Sequence, residues 1–366
     1  MKRILILIFL LLIAVPSSAA ELDDMTLEEK VGQLFIIRPD QLDLTRTPDD
    51  IHDSKTEGSK KLTNGMLETL EEYPAGGFVF FTKNIEDPKQ LRKFTKKLKA
   101  SCEIPPIMAI DEEGGTIARI ANHKNFNVPK YESMEAIGKT GNTKNAYEAA
   151  KTIGKYLKDY GFTMDLAPVA DINTNPENIV IGNRAFGSDP KLVSKMVSAY
   201  LDGLHSQGIA GTIKHFPGHG DTKNDPHSES VEIYKTWDEL LNAELIPFKN
   251  NFGKTDSVMT AHITLKNVNG DLPATLSKEI ITGKLRNELG YDGIIITDAL
   301  MMGAIKDNYS SGEAAVLAIE AGNVILLMPY DYVEAFEALV EAVESGRISE
   351  ERLDDSVSKI LKLKNL

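Results

Sequence analysis

Eight short runs of consecutive apolar residues, each four to seven long and rich in Val, Ile and Phe, punctuate the chain: Leu34–Ile37, Phe78–Phe81, Ile107–Ile110, Met164–Val169, Ile209–Ile213, Ser257–Ile263, Gly293–Thr297 and Val324–Met328. None carries a helical period. Runs of this kind suit strands covered on both faces, as in a parallel sheet sandwiched by helices. Helical patterns separate them, over Pro88–Ala100, Tyr147–Tyr160, Lys191–Gln207, Lys278–Leu289, Ser311–Ala321, Val333–Ser345 and Glu350–Leu363. In Pro88–Ala100, Leu91, Phe94 and Leu98 form the apolar stripe, and the surrounding lysines read as a solvated face. Two capping boxes mark helix starts, Thr26–Glu29 and Thr236–Glu239. Eight strands alternating with helices predict a (β/α)₈ TIM-type barrel forming a single domain, with an open doubly wound sheet as the rival. Residues 40–60, 112–141, 172–190 and 217–236 are long polar stretches that each follow a strand. In a barrel such loops share one rim, where the chemistry resides.

The 366 residues are 42% hydrophobic and 26% charged with a formal net charge of −13, which argues against nucleic-acid binding. Cys102 is the single cysteine, so no intrachain disulfide can form. At the N-terminus, Lys2 and Arg3 precede an apolar run from Ile4 to Val15 and small residues up to Ala20. This pattern predicts a secretory signal peptide over residues 1–20, an exported protein and a mature chain over 21–366. The run is too short to span about 30 Å of hydrocarbon, which takes roughly 20 residues, so no membrane insertion is expected after signal removal.

The densest chemistry follows the fifth run, from Lys214-His215-Phe216-Pro217-Gly218-His219-Gly220-Asp221-Thr222 to Asp225-Pro226-His227. It places three histidines, two aspartates and a lysine on one rim loop, and Gly218 and Gly220 permit turns and close approaches that side chains would block. Other runs end alike: Asp111 is followed by Glu112-Glu113-Gly114-Gly115 and Arg119, Asp171 leads to Asn183-Arg184, the sixth run holds His262, and the seventh ends at Asp298. Asp171 reads as a cap of the following helix. Asp298 reads as chemistry, because it shares the rim with the histidine loop.

These motifs resemble glycoside hydrolase family 3, and more narrowly its single-domain β-N-acetylglucosaminidase branch. The resemblance runs from Met25–Leu34 through Asp111–Arg119, Ala167–Asp171, Ile181–Gly187, Lys214–His227, Met259–His262 and Asp298–Ile305 to Ala321–Pro329. It implies a (β/α)₈ barrel, a covalent nucleophile at Asp298, and an acid/base formed by His227 with Asp225. It also implies that Asp111, Arg119, Arg184, Lys214 and His215 hold the terminal sugar, with no metal and no cofactor. The implied activity is exo-acting, retaining release of non-reducing terminal GlcNAc from peptidoglycan fragments or chitin oligosaccharides. Phosphate as acceptor in place of water, giving a phosphorylase, is the alternative.

The sequence departs from the branch at five positions. Pro226 stands where Ser is usual, and Val231 where Pro is common. Glu112 and Thr116 replace Gln and Arg, which predicts an added carboxylate near the sugar. Val324 replaces an acidic residue. Two other classes fit less well. A metal-dependent barrel hydrolase using His215, His219, His227 and Asp298 lacks a His-x-His pair in the first strand, and Lys214 would oppose a cation. A sugar-binding protein without turnover would not need every catalytic position filled.

Overall fold

The computed structural model describes residues 22–222 and 231–365. The expected signal segment, residues 1–20, and the residues Asp225, Pro226 and His227 lie outside this range. Ten strands are present among the described residues: β1 (Phe35–Ile37), β2 (Gly77–Phe80), β3 (Ile107–Ile110), β4 (Met164–Asp165), β5 (Ala210–Phe216), β6 (Val231–Ile233), β7 (Ser257–Thr260), β8 (Ile263–Leu265), β9 (Ile294–Thr297) and β10 (Leu326–Leu327). Eight of them pair in parallel in the order β10-β1-β2-β3-β4-β5-β7-β9. The Val324 N–H donates to Ile295 O at 2.8 Å and the Thr297 N–H to Ile325 O at 3.0 Å, which joins the two ends. An open sheet has no such bonds, so the architecture is a (β/α)₈ barrel.

The apolar runs become strands because both faces are covered. Phe35, Ile36, Ile37, Phe78, Phe80, Ile110, Ile295 and Ile296 are fully buried between the barrel interior and the outer helices. Helices over Pro88–Ser101, Thr143–Asp159, Pro190–His205, Ser311–Ala321, Tyr332–Glu344 and Glu350–Leu363 form part of the outer ring. Both capping boxes are in place: the Thr26 and Thr236 hydroxyls accept from the N–H of Glu29 and Glu239, whose carboxylates answer. The run predicted as a helix over Lys278–Leu289 forms Glu279–Glu288, wound with the wider π spacing.

The predicted sixth strand, Ser257–Ile263, is interrupted. It stays in the barrel to Thr260, and from Ile263 the chain pairs with β6 in a separate two-stranded sheet. His262 sits at the break, facing Thr275 Oγ1 at 2.9 Å and Ala299 O at 3.0 Å, bonds that a barrel position would not offer. Val231 opens β6 with its side chain buried, and since the first residue of a strand also tolerates proline, nothing in the structure explains this change. Val324 is fully buried at the seam that closes the barrel, where an acidic side chain would be desolvated.

Candidate active site

Strand ends place the predicted residues on one rim. Asp111 follows β3, Lys214 and His215 belong to β5, and Asp298 follows β9. A cavity of about 160 Å³ opens there, and Asp111, Arg119, Arg184, Lys214, His215 and Asp298 all line it. The structure thus brings together every described residue of the predicted set.

Adjacent strand residues normally face opposite sides, yet Lys214 and His215 both reach this cavity. The cause is a register shift: Ile213 pairs with Val258 and Phe216 with Thr260, so β5 carries one more residue than β7 over that stretch. Such a bulge re-aims side chains, and here it turns two neighbours inward. The loop beyond β5 is held by glycine. A Cβ at Gly220 would lie 1.8 Å from Ile172 O, so only hydrogen fits, and Gly218 adopts φ +122°.

The charges interlock. Lys214 Nζ lies 2.9 Å from Asp111 Oδ1 and 2.7 Å from Glu113 Oε1. Arg119 reaches Asp111 Oδ2 at 3.3 Å and packs 4.8 Å over the Phe81 ring. Arg184 grips Glu113 with two parallel bonds of 2.9 and 2.7 Å, and its Nη1 donates to Val180 O at 2.8 Å. Burial pushes Glu113 up, but Arg184 and Lys214 outweigh it and hold the carboxyl at about 2. Burial likewise opposes ionisation of Asp111, and Lys214 and Arg119 keep it below the usual carboxylate range. Lys214 is buried, which disfavours its charge, yet Asp111 and Glu113 hold it above the usual lysine range. The cluster is therefore ionised at neutral pH.

Asp298 accepts the Ala299 N–H at 2.8 Å, and its own N–H donates to Thr260 O at 2.9 Å. Burial raises its pKa, but the His262 and His215 imidazoles, the Ala299 N–H and the Lys214 ammonium together leave it below the ordinary range. It remains partly exposed to the cavity as a carboxylate. That combination suits attack on an electrophilic carbon.

Two expectations need correction. Asp171 does not cap a helix. It is fully buried, faces His215 Nδ1 at 2.7 Å, and accepts the N–H groups of His215 and His219 at 3.1 and 2.7 Å. Burial opposes its charge, and the His215 imidazole, helped by the N–H of His219, overcomes that and lowers its pKa. Glu112 does not add a carboxylate near the sugar. It turns outward to the N–H groups of Ile120 and Ala121, both at 2.8 Å, and to the Tyr156 hydroxyl at 2.9 Å. The carboxylate that does enter the cavity is Glu113. Arg184 lines the cavity and commits three of its five N–H groups to Glu113 and Val180, which leaves two for a ligand. Glu113 was missed because adjacent acidic residues give no sign of which one faces inward. Its two cationic partners lie 71 and 101 positions away in sequence.

A closed parallel barrel with ionised, convergent side chains at the carboxyl ends of its strands belongs to the barrel enzymes whose chemistry lies on that rim. The sequence narrows the class: the model of the glycosyl hydrolase family 3 N-terminal domain matches residues 26–363, and the chain belongs to that family. Among similar proteins, β-hexosaminidase A of Pseudoalteromonas piscicida is 32% identical over 326 residues, covering 82% of this chain and 54% of its own length. The β-hexosaminidase LpqI of Mycobacterium tuberculosis is 31% identical over 270 residues, covering 71% of this chain and 68% of its own. The solved structure of a family 3 β-N-acetylglucosaminidase from Paenibacillus sp. superposes with a TM-score of 0.84 at 38% identity, covering 93% of this chain and 62% of that one. This chain therefore spans about half the length of the first relative and under two thirds of the solved one.

Proposed function

We propose that this chain is an exo-acting, retaining β-N-acetylglucosaminidase that removes non-reducing terminal GlcNAc through a covalent ester on Asp298. The observation that carries the reading is the cavity itself: a carboxylate ionised at neutral pH sits across one small polar chamber from the Asp111–Lys214–Glu113 cluster. In such a chamber Asp111, Lys214 and Arg119 offer charge-assisted bonds to ring hydroxyls, which contribute most when they tighten in the transition state. Asp298 attacks the anomeric carbon while the leaving oxygen takes a proton. His227 is the proposed donor, with Asp225 orienting its ring. A lone imidazole, near pKa 6.5, can give that proton and take one back from the incoming acceptor close to pH 7.

Names of relatives support GlcNAc as the donor sugar: β-hexosaminidase for two, β-N-acetylglucosaminidase for the third. The N-terminal pattern supports export, and an exported enzyme of this kind would meet muropeptides or chitin oligosaccharides. Turnover of p-nitrophenyl β-N-acetylglucosaminide, with products separated in the presence and absence of phosphate, tests the reading. Release of free GlcNAc under both conditions is expected. Sugar 1-phosphate would instead assign a phosphorylase, and no release of p-nitrophenol would refute the proposal. His227→Ala is expected to slow substrates with poor leaving groups far more than activated aryl glycosides; equal losses would remove His227 from the donor role.

A further inference from the structure

His219 lines the same cavity, is 2% exposed, and carries a buried Nε2 with no hydrogen-bond partner among the described residues. Its other nitrogen is occupied, with Nδ1 2.8 Å from Thr222 Oγ1. That hydroxyl reaches His219's own carbonyl at 3.0 Å and accepts from Asn178 Nδ2 at 3.3 Å. The Thr222 hydroxyl has one proton, which it either donates to Nδ1 or leaves Nδ1 to supply, so Nε2 carries the ring proton in the first case and a lone pair in the second. In both cases Nε2 has hydrogen-bonding capacity to spare. Burial and the neighbouring His215 lower the pKa to about 4, so the ring stays neutral at neutral pH.

A buried polar atom without a partner is costly, and native structures rarely leave one unless something else fills the role. Several other polar side chains here are engaged with one another: Asp111 with Lys214 and Arg119, Glu113 with Arg184 and Lys214, and His215 with Asp171. His219 Nε2 and Arg119 Nε are the buried side-chain atoms of the described lining left without a partner. The His215 and His219 rings meet edge to face with centroids 5.9 Å apart, so His219 lies beside a residue assigned to the sugar.

We propose that His219 is a further sugar-binding residue, whose Nε2 forms a hydrogen bond with a polar group of the ring held between Asp111 and Asp298. The inference rests on the glycosidase reading and adds a contact to it. A purely structural role would work through Nδ1 and Thr222; the proposed role works through Nε2. Asparagine places its amide near Nδ1, and glutamine places its amide near Nε2, so the two substitutions separate the roles.

The test compares kcat/KM of His219→Asn and His219→Gln on p-nitrophenyl β-N-acetylglucosaminide with that of the unaltered chain. His219→Asn is expected to lose about tenfold, the worth of one neutral hydrogen bond, while His219→Gln stays within about threefold. The reverse order, or equal losses, would overturn the assignment. Should either variant fail to fold, ¹⁵N NMR of the imidazole in the unaltered chain serves instead. Addition of GlcNAc is expected to shift the Nε2 resonance of His219, and an unmoved resonance in the saturated complex overturns the proposal. An unaltered chain that releases no p-nitrophenol would refute the glycosidase reading, and this contact with it. Activity with no difference between the variants would remove this contact alone.

Discussion

Lys214 holds the cavity's charges together. It is buried between Asp111 and Glu113, which would otherwise face each other with less cationic cover. Lys214→Met keeps the stem and removes the ammonium, and is expected to cost about 3–5 kcal/mol of stability by leaving buried charge uncompensated. Chemical denaturation measures it, and a loss below about 1 kcal/mol would show that Arg119 and Arg184 suffice. Asp165 behaves in the opposite way. Fully buried, with Oδ1 accepting the Glu112 N–H at 2.9 Å and Oδ2 unpartnered among the described residues, it is pushed well above the usual carboxylate range, chiefly by burial. Its folded pKa is raised, so its stability contribution is full below the unfolded value of about 3.9 and declines as pH rises through the folded one. The stability of the unaltered chain minus that of Asp165→Asn is therefore expected to fall as pH rises above about 4, by at most about 1.4 kcal/mol per pH unit. A flat difference would mean that Asp165 is ionised in the folded protein.

At the scale of elements, what was legible in the sequence was what depends on local pattern. Consecutive apolar residues marked all eight barrel strands, and Thr26–Glu29 and Thr236–Glu239 marked two helix starts, because pleat, burial and capping are each set within a few positions. What was not legible depends on which way a side chain turns. The extra residue in β5 that faces both Lys214 and His215 inward is visible only against β7. The break at His262 is visible only against Thr275 and Ala299. Asp171 looked like a helix cap because its partners are His215 and His219, 44 and 48 positions on. Gly220 was read correctly, since its spacing from Gly218 already signalled a crowded turn. Gly220→Ala would drive a methyl group into Ile172 O, and the loop must shift. A destabilisation of about 1–3 kcal/mol is expected, together with reduced turnover, because the same loop carries His219. Unchanged melting and unchanged activity would show that the 172–175 segment yields freely.

For the whole molecule, closing the sheet is what makes one site from distant parts of the chain. Asp111, Lys214 and Asp298 are separated by about 190 residues from first to last, yet each stands at the carboxyl end of a barrel strand. The site set legible in the sequence is the set the barrel gathers, apart from Asp225 and His227, which lie outside the described residues. Glu113 joins it for reasons of packing that no local pattern announces, whereas His219 was already marked by its place in the histidine loop. The central claim is that Asp298 bonds covalently to the sugar. Intact-protein mass spectrometry after incubation with a slow 5-fluoro N-acetylglucosaminide, followed by peptide mapping, tests it most directly. The account predicts one added glycosyl mass on the peptide containing Asp298, and none in Asp298→Ala. An adduct on another residue, or turnover with no adduct and strong inhibition by a thiazoline, would contradict it.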